Sequence, residues 1–171
     1  MIKAFRSAAW MVAATLLSAC STVDLTGQPF FYMLEQPHPD QATLYFYRVK
    51  PTLGSKFSRT ISINGKAVGQ LPGGSYFVTH ADAGRIHVVA EAVIGNESDT
   101  EFDLDIEEGK TYFIADQENT SPYENDGKAL SSTIEARFRP TTYYYRFALV
   151  PMDDALRALK WCQQSPPVSK R

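Results

Sequence analysis

The sequence predicts an all-β fold, a small antiparallel β-sandwich with one C-terminal α-helix. Three observations predict it. Apolar residues recur with period two through most of residues 42–150. Turn signals rich in Gly, Asn and Pro interrupt that pattern at short intervals, as in sandwiches and barrels. After Pro151 the apolar spacing becomes helical.

Each element follows from its own residues. Residues 42–49 alternate, with Leu44 and Phe46 on one face and Tyr45 and Tyr47 on the other. Ile61 and Ile63 flank Ser62, and Asn64-Gly65 follows. Asn-Gly between apolar runs marks a type I′ hairpin, whose two central residues need positive φ. Residues 66–71 form the return strand, and Pro72-Gly73-Gly74 the next turn. Residues 76–80 make another strand, broken at Ala81-Asp82-Ala83-Gly84. Residues 85–93 put Ile86, Val88, Ala90 and Ala92 on one face.

Residues 100–106 alternate Phe102, Leu104 and Ile106 with Glu101, Asp103 and Asp105. One face of that strand is dry and the other wet, the mark of an antiparallel sheet open to water on one side. Glu107-Glu108-Gly109-Lys110 turns the chain into residues 111–116, and residues 117–128 form the longest loop. Ile134, Ala136 and Phe138 alternate with Glu135, Arg137 and Arg139. The last strand, residues 143–150, carries Tyr145, Phe147 and Leu149 toward the core. Met152, Ala155, Leu156, Leu159 and Cys162 then form the helical stripe. Asp153 and Asp154 sit in its first turn, where acids suit the helix dipole.

The chain has 171 residues, 44% hydrophobic and 21% charged, with formal charge −2. A nucleic-acid binder shows a clustered basic excess, which is absent, so nucleic acid is not an expected partner. Collagen-like, disulfide-dense and disordered classes do not fit this composition. No internal repeat and no second domain is visible. Four regions emerge: a signal peptide over residues 1–19, a lipidated N-terminus and tether over 20–40, the β-sandwich with its helix over 41–164, and a flexible tail over 165–171.

The N-terminus carries the sharpest signal. Lys3 and Arg6 precede a short apolar core, which ends in Leu17-Ser18-Ala19-Cys20. That order is the order of a secretory signal peptide. Its apolar run is too short to span a bilayer, which takes about 20 residues. Leu-Ser-Ala-Cys resembles the bacterial lipobox. The resemblance implies cleavage between Ala19 and Cys20 and acylation of Cys20, which becomes a membrane anchor. More than one acyl chain gives stable attachment without a transmembrane helix. By resemblance to enterobacterial lipoproteins, Ser21 in place of Asp implies export to the outer membrane. The tether carries Gly27, Pro29, Pro37 and Pro39 and reads as a semi-rigid spacer. Phe30-Phe31-Tyr32-Met33-Leu34 within it reads as a segment that packs onto the domain or begins its first strand. The other reading is contact with lipid or a partner.

Three segments together carry a family resemblance. They are Leu44-Tyr45-Phe46-Tyr47-Arg48, then Ile63-Asn64-Gly65-Lys66-Ala67-Val68-Gly69-Gln70-Leu71 continued by Gly74-Ser75-Tyr76-Phe77, then Ala83-Gly84-Arg85-Ile86-His87-Val88-Val89-Ala90. Their order resembles a family of bacterial lipoproteins defined only by a domain of unknown function (number twenty-eight forty-six in that series). Ala83-Gly84 stands where that family usually has Pro-Gly. The resemblance implies a small β-sandwich in the cell envelope and brings no catalytic residues. A looser similarity joins the hairpin and the His87 strand to PEGA-type surface modules.

The residues offer little chemistry. His38, His80 and His87 are the only histidines. No metal-ligand spacing and no nucleophile elbow occurs, so no catalytic residue, metal or cofactor is expected. The acid pairs Asp103/Asp105, Glu107/Glu108 and Asp153/Asp154 read as solvated surface. Asn96-Glu97-Ser98 and Asn119-Thr120-Ser121 match a glycosylation sequon by coincidence. Cys162, on the apolar stripe, reads as buried packing. Aromatic surface remains, and Tyr45, Tyr47, Tyr76 and Tyr144 are the candidate binding residues.

The expected function is that of a non-catalytic, membrane-anchored envelope lipoprotein acting as a partner-binding or structural module. Its partners would be the membrane, through the lipid on Cys20, and an envelope protein or ligand. The alternative is a lipid- or glycan-binding lipoprotein. A third reading, a hydrolase, requires His80, His87 and a carboxylate to converge.

Overall fold

A computed structural model describes residues 23–51, 58–91, 99–167 of the chain. The elements are β1 (Ala42–Arg48), β2 (Ser58–Ile63), β3 (Lys66–Pro72), β4 (Ser75–Ala81), β5 (Gly84–Ala90), β6 (Thr100–Ile106), β7 (Thr111–Asn119), β8 (Ile134–Phe138), β9 (Thr141–Leu149), α1 (Met152–Leu159) and β10 (Gln163–Gln164). They form two sheets, a six-stranded one ordered β10-β4-β1-β7-β9-β8 and a four-stranded one ordered β3-β2-β5-β6. The fold is the expected sandwich with one C-terminal helix. Ala92 and Val93, placed by their pattern on the β5 strand, lie outside the described residues, as do Asn96-Glu97-Ser98.

Most pairings are antiparallel, but β1 runs parallel to β7, with Phe46 opposite Ile114. Antiparallel neighbours arise when a tight turn joins consecutive strands. Between β1 and β7 the chain builds the whole four-stranded sheet and β4, so no hairpin fixes their direction. Both strands lie in the middle of the sheet. Accordingly, β1 is buried along its whole length, the expected state of a strand covered on both faces.

Local chemistry places the turns. Asn64 and Gly65 adopt φ of 50° and 78°, the geometry that the Asn-Gly pair predicts. The Asn64 side chain accepts a hydrogen bond from the His87 amide at 2.9 Å, which ties the β2–β3 turn to β5. Gly69 stands beside a bulge in the β2–β3 ladder. It has a further steric reason to be glycine: a Cβ there would meet the Phe77 ring at 2.5 Å. Phe77 in turn stacks on Phe46, with ring centroids 5.2 Å apart.

The core between the sheets contains Leu44, Phe46, Ile61, Leu71, Val88, Ile114 and Phe147. The opposite face of the six-stranded sheet is covered too. There Tyr45, Tyr47, Tyr76 and Phe113 lie under Ala155 and Leu159 of α1 and under Cys162. Met152, placed on the helical stripe by its spacing, is exposed at the helix start.

Two boundaries differ from expectation. β7 runs on to Asn119 because its last residues pair with Tyr144 and Tyr145 of β9, which shortens the loop after it. The tail is anchored at its start: β10 pairs with Ser75 and Tyr76, and Ser165 is buried with its amide bonded to the Tyr76 carbonyl. The described part of the tether lies against the domain. Phe30 bridges Gln163, the Phe31 amide bonds the Cys162 carbonyl, and the Phe31 ring meets Tyr45 and Tyr76 edge-on.

Candidate functional site

The four candidate tyrosines separate sharply. Tyr45, Tyr47 and Tyr76 are buried, so they do not form an exposed aromatic surface, and of the three only Tyr47 lines the groove beside the arginine clusters. Alternation correctly assigns Tyr45 and Tyr47 to the face away from Phe46, but that face is covered by α1 and the tether rather than by water. The Tyr45 hydroxyl accepts a hydrogen bond from the Glu35 amide at 2.7 Å, which pins the tether from beneath. Burial pushes the phenols of Tyr45, Tyr47 and Tyr76 up from their ordinary range. Tyr144 is half-exposed and lies opposite Glu135 of β8. Ala19 and Cys20 lie outside the described residues.

Ion pairs that the sequence reading missed organise one end of the sandwich. Arg48 of β1 and Arg59 of β2 each place Nε 3.3 Å from the same Asp116 carboxylate oxygen on β7. All three side chains are almost fully buried. The cluster therefore clasps the two sheets together with charge in place of apolar contact. Removing one partner from such a group is costly, because it leaves uncompensated buried charge. A signal for it was present: Arg59 has the same period-two phase as Ile61 and Ile63, so it had to face inward with them.

Nearby, on β9, buried Arg146 forks onto Asp126 at 3.1 and 2.8 Å and donates to Gln117 at 2.9 Å. Its guanidinium lies 4.1 Å from the centre of the Tyr123 ring. These contacts fix the loop after β7. The Arg146 bonds and the Lys128 amide hold the Asp126 carboxyl down to about 2, and burial pushes Tyr123 up to about 12. Between the two arginine clusters opens a groove of about 330 Å³, whose walls include Tyr47, Lys50, Asp116, Glu118 and Tyr123. A second groove of about 440 Å³ runs between β7 and the start of α1, past Phe113, Leu149 and Met152.

The histidines take separate partners. His80 Nε2 lies 3.9 Å from Glu35, with the His38 ring 5.7 Å away. On the open face of the four-stranded sheet, His87 Nδ1 sits 2.9 Å from Asp103, which also binds Arg85 at 2.8 Å. Those two contacts hold the Asp103 carboxyl below its ordinary range. Asp82 bonds Gln41. His80, Asp82 and His87 therefore do not converge. No group of three metal-ligating side chains occurs among the described residues. Cys162 is fully buried, and desolvation pushes its thiol up to about 12, so the nucleophilic thiolate is suppressed.

No curated protein and no solved structure matches this chain. The family model described as a protein of unknown function (DUF2846) matches residues 38–128, which run from the end of the tether through the Arg48–Asp116–Arg59 clasp to the loop held by Arg146. The match covers more than half of the chain and takes in all three segments that carry the resemblance, so the protein belongs to the DUF2846 family.

Proposed function

We propose that the protein is a non-catalytic, lipid-anchored envelope lipoprotein whose β-sandwich acts as a partner-binding or structural module. One observation carries this reading: Leu17-Ser18-Ala19-Cys20 closes a basic-then-apolar leader a few residues before the chain reaches the folded domain. Two acyl chains or more on Cys20 would hold the domain at a bilayer without a transmembrane helix. None of the helices described is long and apolar enough to cross a membrane. Ser21 favours the outer membrane as its destination.

Mass spectrometry of the protein from a bacterial envelope tests the anchor. The expected product begins at Cys20 and carries acyl chains, and Cys20→Ser abolishes both lipid and membrane fractionation. An intact N-terminus on a soluble product would overturn it. Crosslinked pull-down against a lipidated carrier sharing only the Cys20 anchor tests the module. Recovery of no envelope component above that control would count against partner binding.

A second reading, binding of a small lipid or glycan, draws support from the groove beside the arginine clusters. Its volume of about 330 Å³ falls within the range of small-ligand sites.

A further inference from the structure

Beside Gln163 the domain leaves a group of large apolar side chains in water. Phe30 is 59% exposed, Tyr32 91%, Met33 70% and Trp161 74%. Two distant segments supply them, and backbone pairing brings those segments together. Phe30 bridges Gln163 in antiparallel sense, and the Phe31 amide bonds Cys162. Tyr32 and Trp161 each lie two residues from that bridge, on the two segments it joins. Phe31 and Leu34 turn inward against the tyrosine layer. Their neighbours Phe30, Tyr32 and Met33 stay outside, and the ledge they form with Trp161 is apolar and aromatic.

Chain length fixes where this ledge can go. Leu25 is already stitched to the domain, since its carbonyl accepts from the Gln163 side chain at 3.2 Å. Gln28 is held by the same side chain at 2.9 Å. Leu25 is five residue steps from Cys20, a reach of about 18 Å at full extension. An anchored Cys20 therefore holds this end of the domain close to the headgroups. Trp and Tyr prefer that depth, where a ring meets apolar chains and its polar edge meets water. Lys160 beside Trp161 is exposed, while Asp24 and Glu35 on the tether are acidic. Charge is thus mixed, and aromatic contact carries the docking.

We propose that Phe30, Tyr32, Met33 and Trp161 form a docking ledge that rests on the lipid surface, so that the domain is held in a fixed orientation rather than swinging from its anchor. The proposal rests on the lipid-anchor reading and adds to it a defined face.

The molecule carries its own probe. Trp10 lies in the leader, so the product beginning at Cys20 has Trp161 as its single tryptophan. The lipidated protein is reconstituted into vesicles of phosphatidylethanolamine and phosphatidylglycerol, with and without brominated acyl chains. The expected result is blue-shifted Trp161 emission that loses most of its intensity with brominated lipid. Tyr32→Ser combined with Met33→Ser changes only exposed side chains. That variant is expected to stay lipidated and folded while its quenching falls sharply. Red-shifted emission that brominated lipid leaves intact, on a protein shown by mass to be acylated, would overturn the ledge alone. Blue-shifted but unquenched emission, with crosslinked dimers, would assign the ledge to a second copy and overturn it equally. An unmodified Cys20 would overturn ledge and anchor together.

Discussion

The two faces of the six-stranded sheet are covered in opposite ways. On one, Leu44, Phe46, Ile114 and Phe147 meet the second sheet, and the filling is aliphatic and phenyl. On the other, Tyr45, Tyr47 and Tyr76 meet a short helix and a segment from far away in sequence. A sheet-on-sheet contact presents a broad apolar surface with every backbone group already paired. A helix and an irregular strap present edges and unpaired amides, and a phenol can satisfy those. Tyr45 does so for the Glu35 amide. Tyr45 on this face therefore serves the irregular backbone that crosses it.

Asp116→Asn is expected to produce the largest effect that sharpens this contrast. It leaves Arg48 and Arg59 buried between the sheets without their shared counter-charge, a loss of about 3–5 kcal/mol. Urea unfolding measures it. A loss below about 1 kcal/mol would mean that this end of the inner face is solvated, as surface ion pairs are.

Tyr45→Phe probes the other face. It removes one hydroxyl and leaves the ring packed, so stability should fall by only about 1 kcal/mol. The local readout is sharper. Amide exchange at Glu35 should accelerate while exchange in β1 stays slow. Equal acceleration in both would show that the strap and the sheet open as one unit, and the contrast between the faces would fail.

Acid has the smallest and most local effect expected. The Asp126 carboxyl titrates at about 2, below the ordinary carboxylate value, because Arg146 and the Lys128 amide bind its charged form. A depressed folded-state value means the contribution is complete above the unfolded value near 4 and is lost as pH falls through about 2. Proton titration followed by NMR should show the 120–133 loop loosening over that interval, while the inner core holds. An Asp126 carboxyl that titrates at the ordinary carboxylate value in the folded protein would show that Arg146 does not hold it in solution.

Period-two alternation made the inner face legible. Leu44 with Phe46, Ile61 with Ile63, and Phe102 with Ile106 all face the core as their spacing requires. The Asn64-Gly65 turn was equally plain, since few residues accept positive φ. The parallel β1–β7 pair could not be read, because direction between distant strands depends on the intervening path and not on either strand's residues. The covered outer face was hidden for a related reason. A strand buried on both sides by different partners still alternates, so Tyr45 looked like surface. The Arg48–Asp116–Arg59 clasp was half legible, through the phase of Arg59, but its partners come from three strands. In the candidate site, three of the four tyrosines were not recognised as buried.

The stitching of residues 25–35 onto Gln163 and Tyr45 has a mechanical consequence. A pull applied through the N-terminal end does not reach the sandwich first. It loads a few bonds in sequence: the Gln163 side chain, the Phe30 bridge and the Tyr45 hydroxyl. These can break singly, as the teeth of a zip do, whereas β1 is held by full ladders on both sides. For a Cys20 that is lipid-anchored as proposed, unzipping as far as Ala42 would lengthen the leash from about 18 Å to about 75 Å and leave the folded body intact. The strap would then yield before the sandwich does, because its bonds are few and separate.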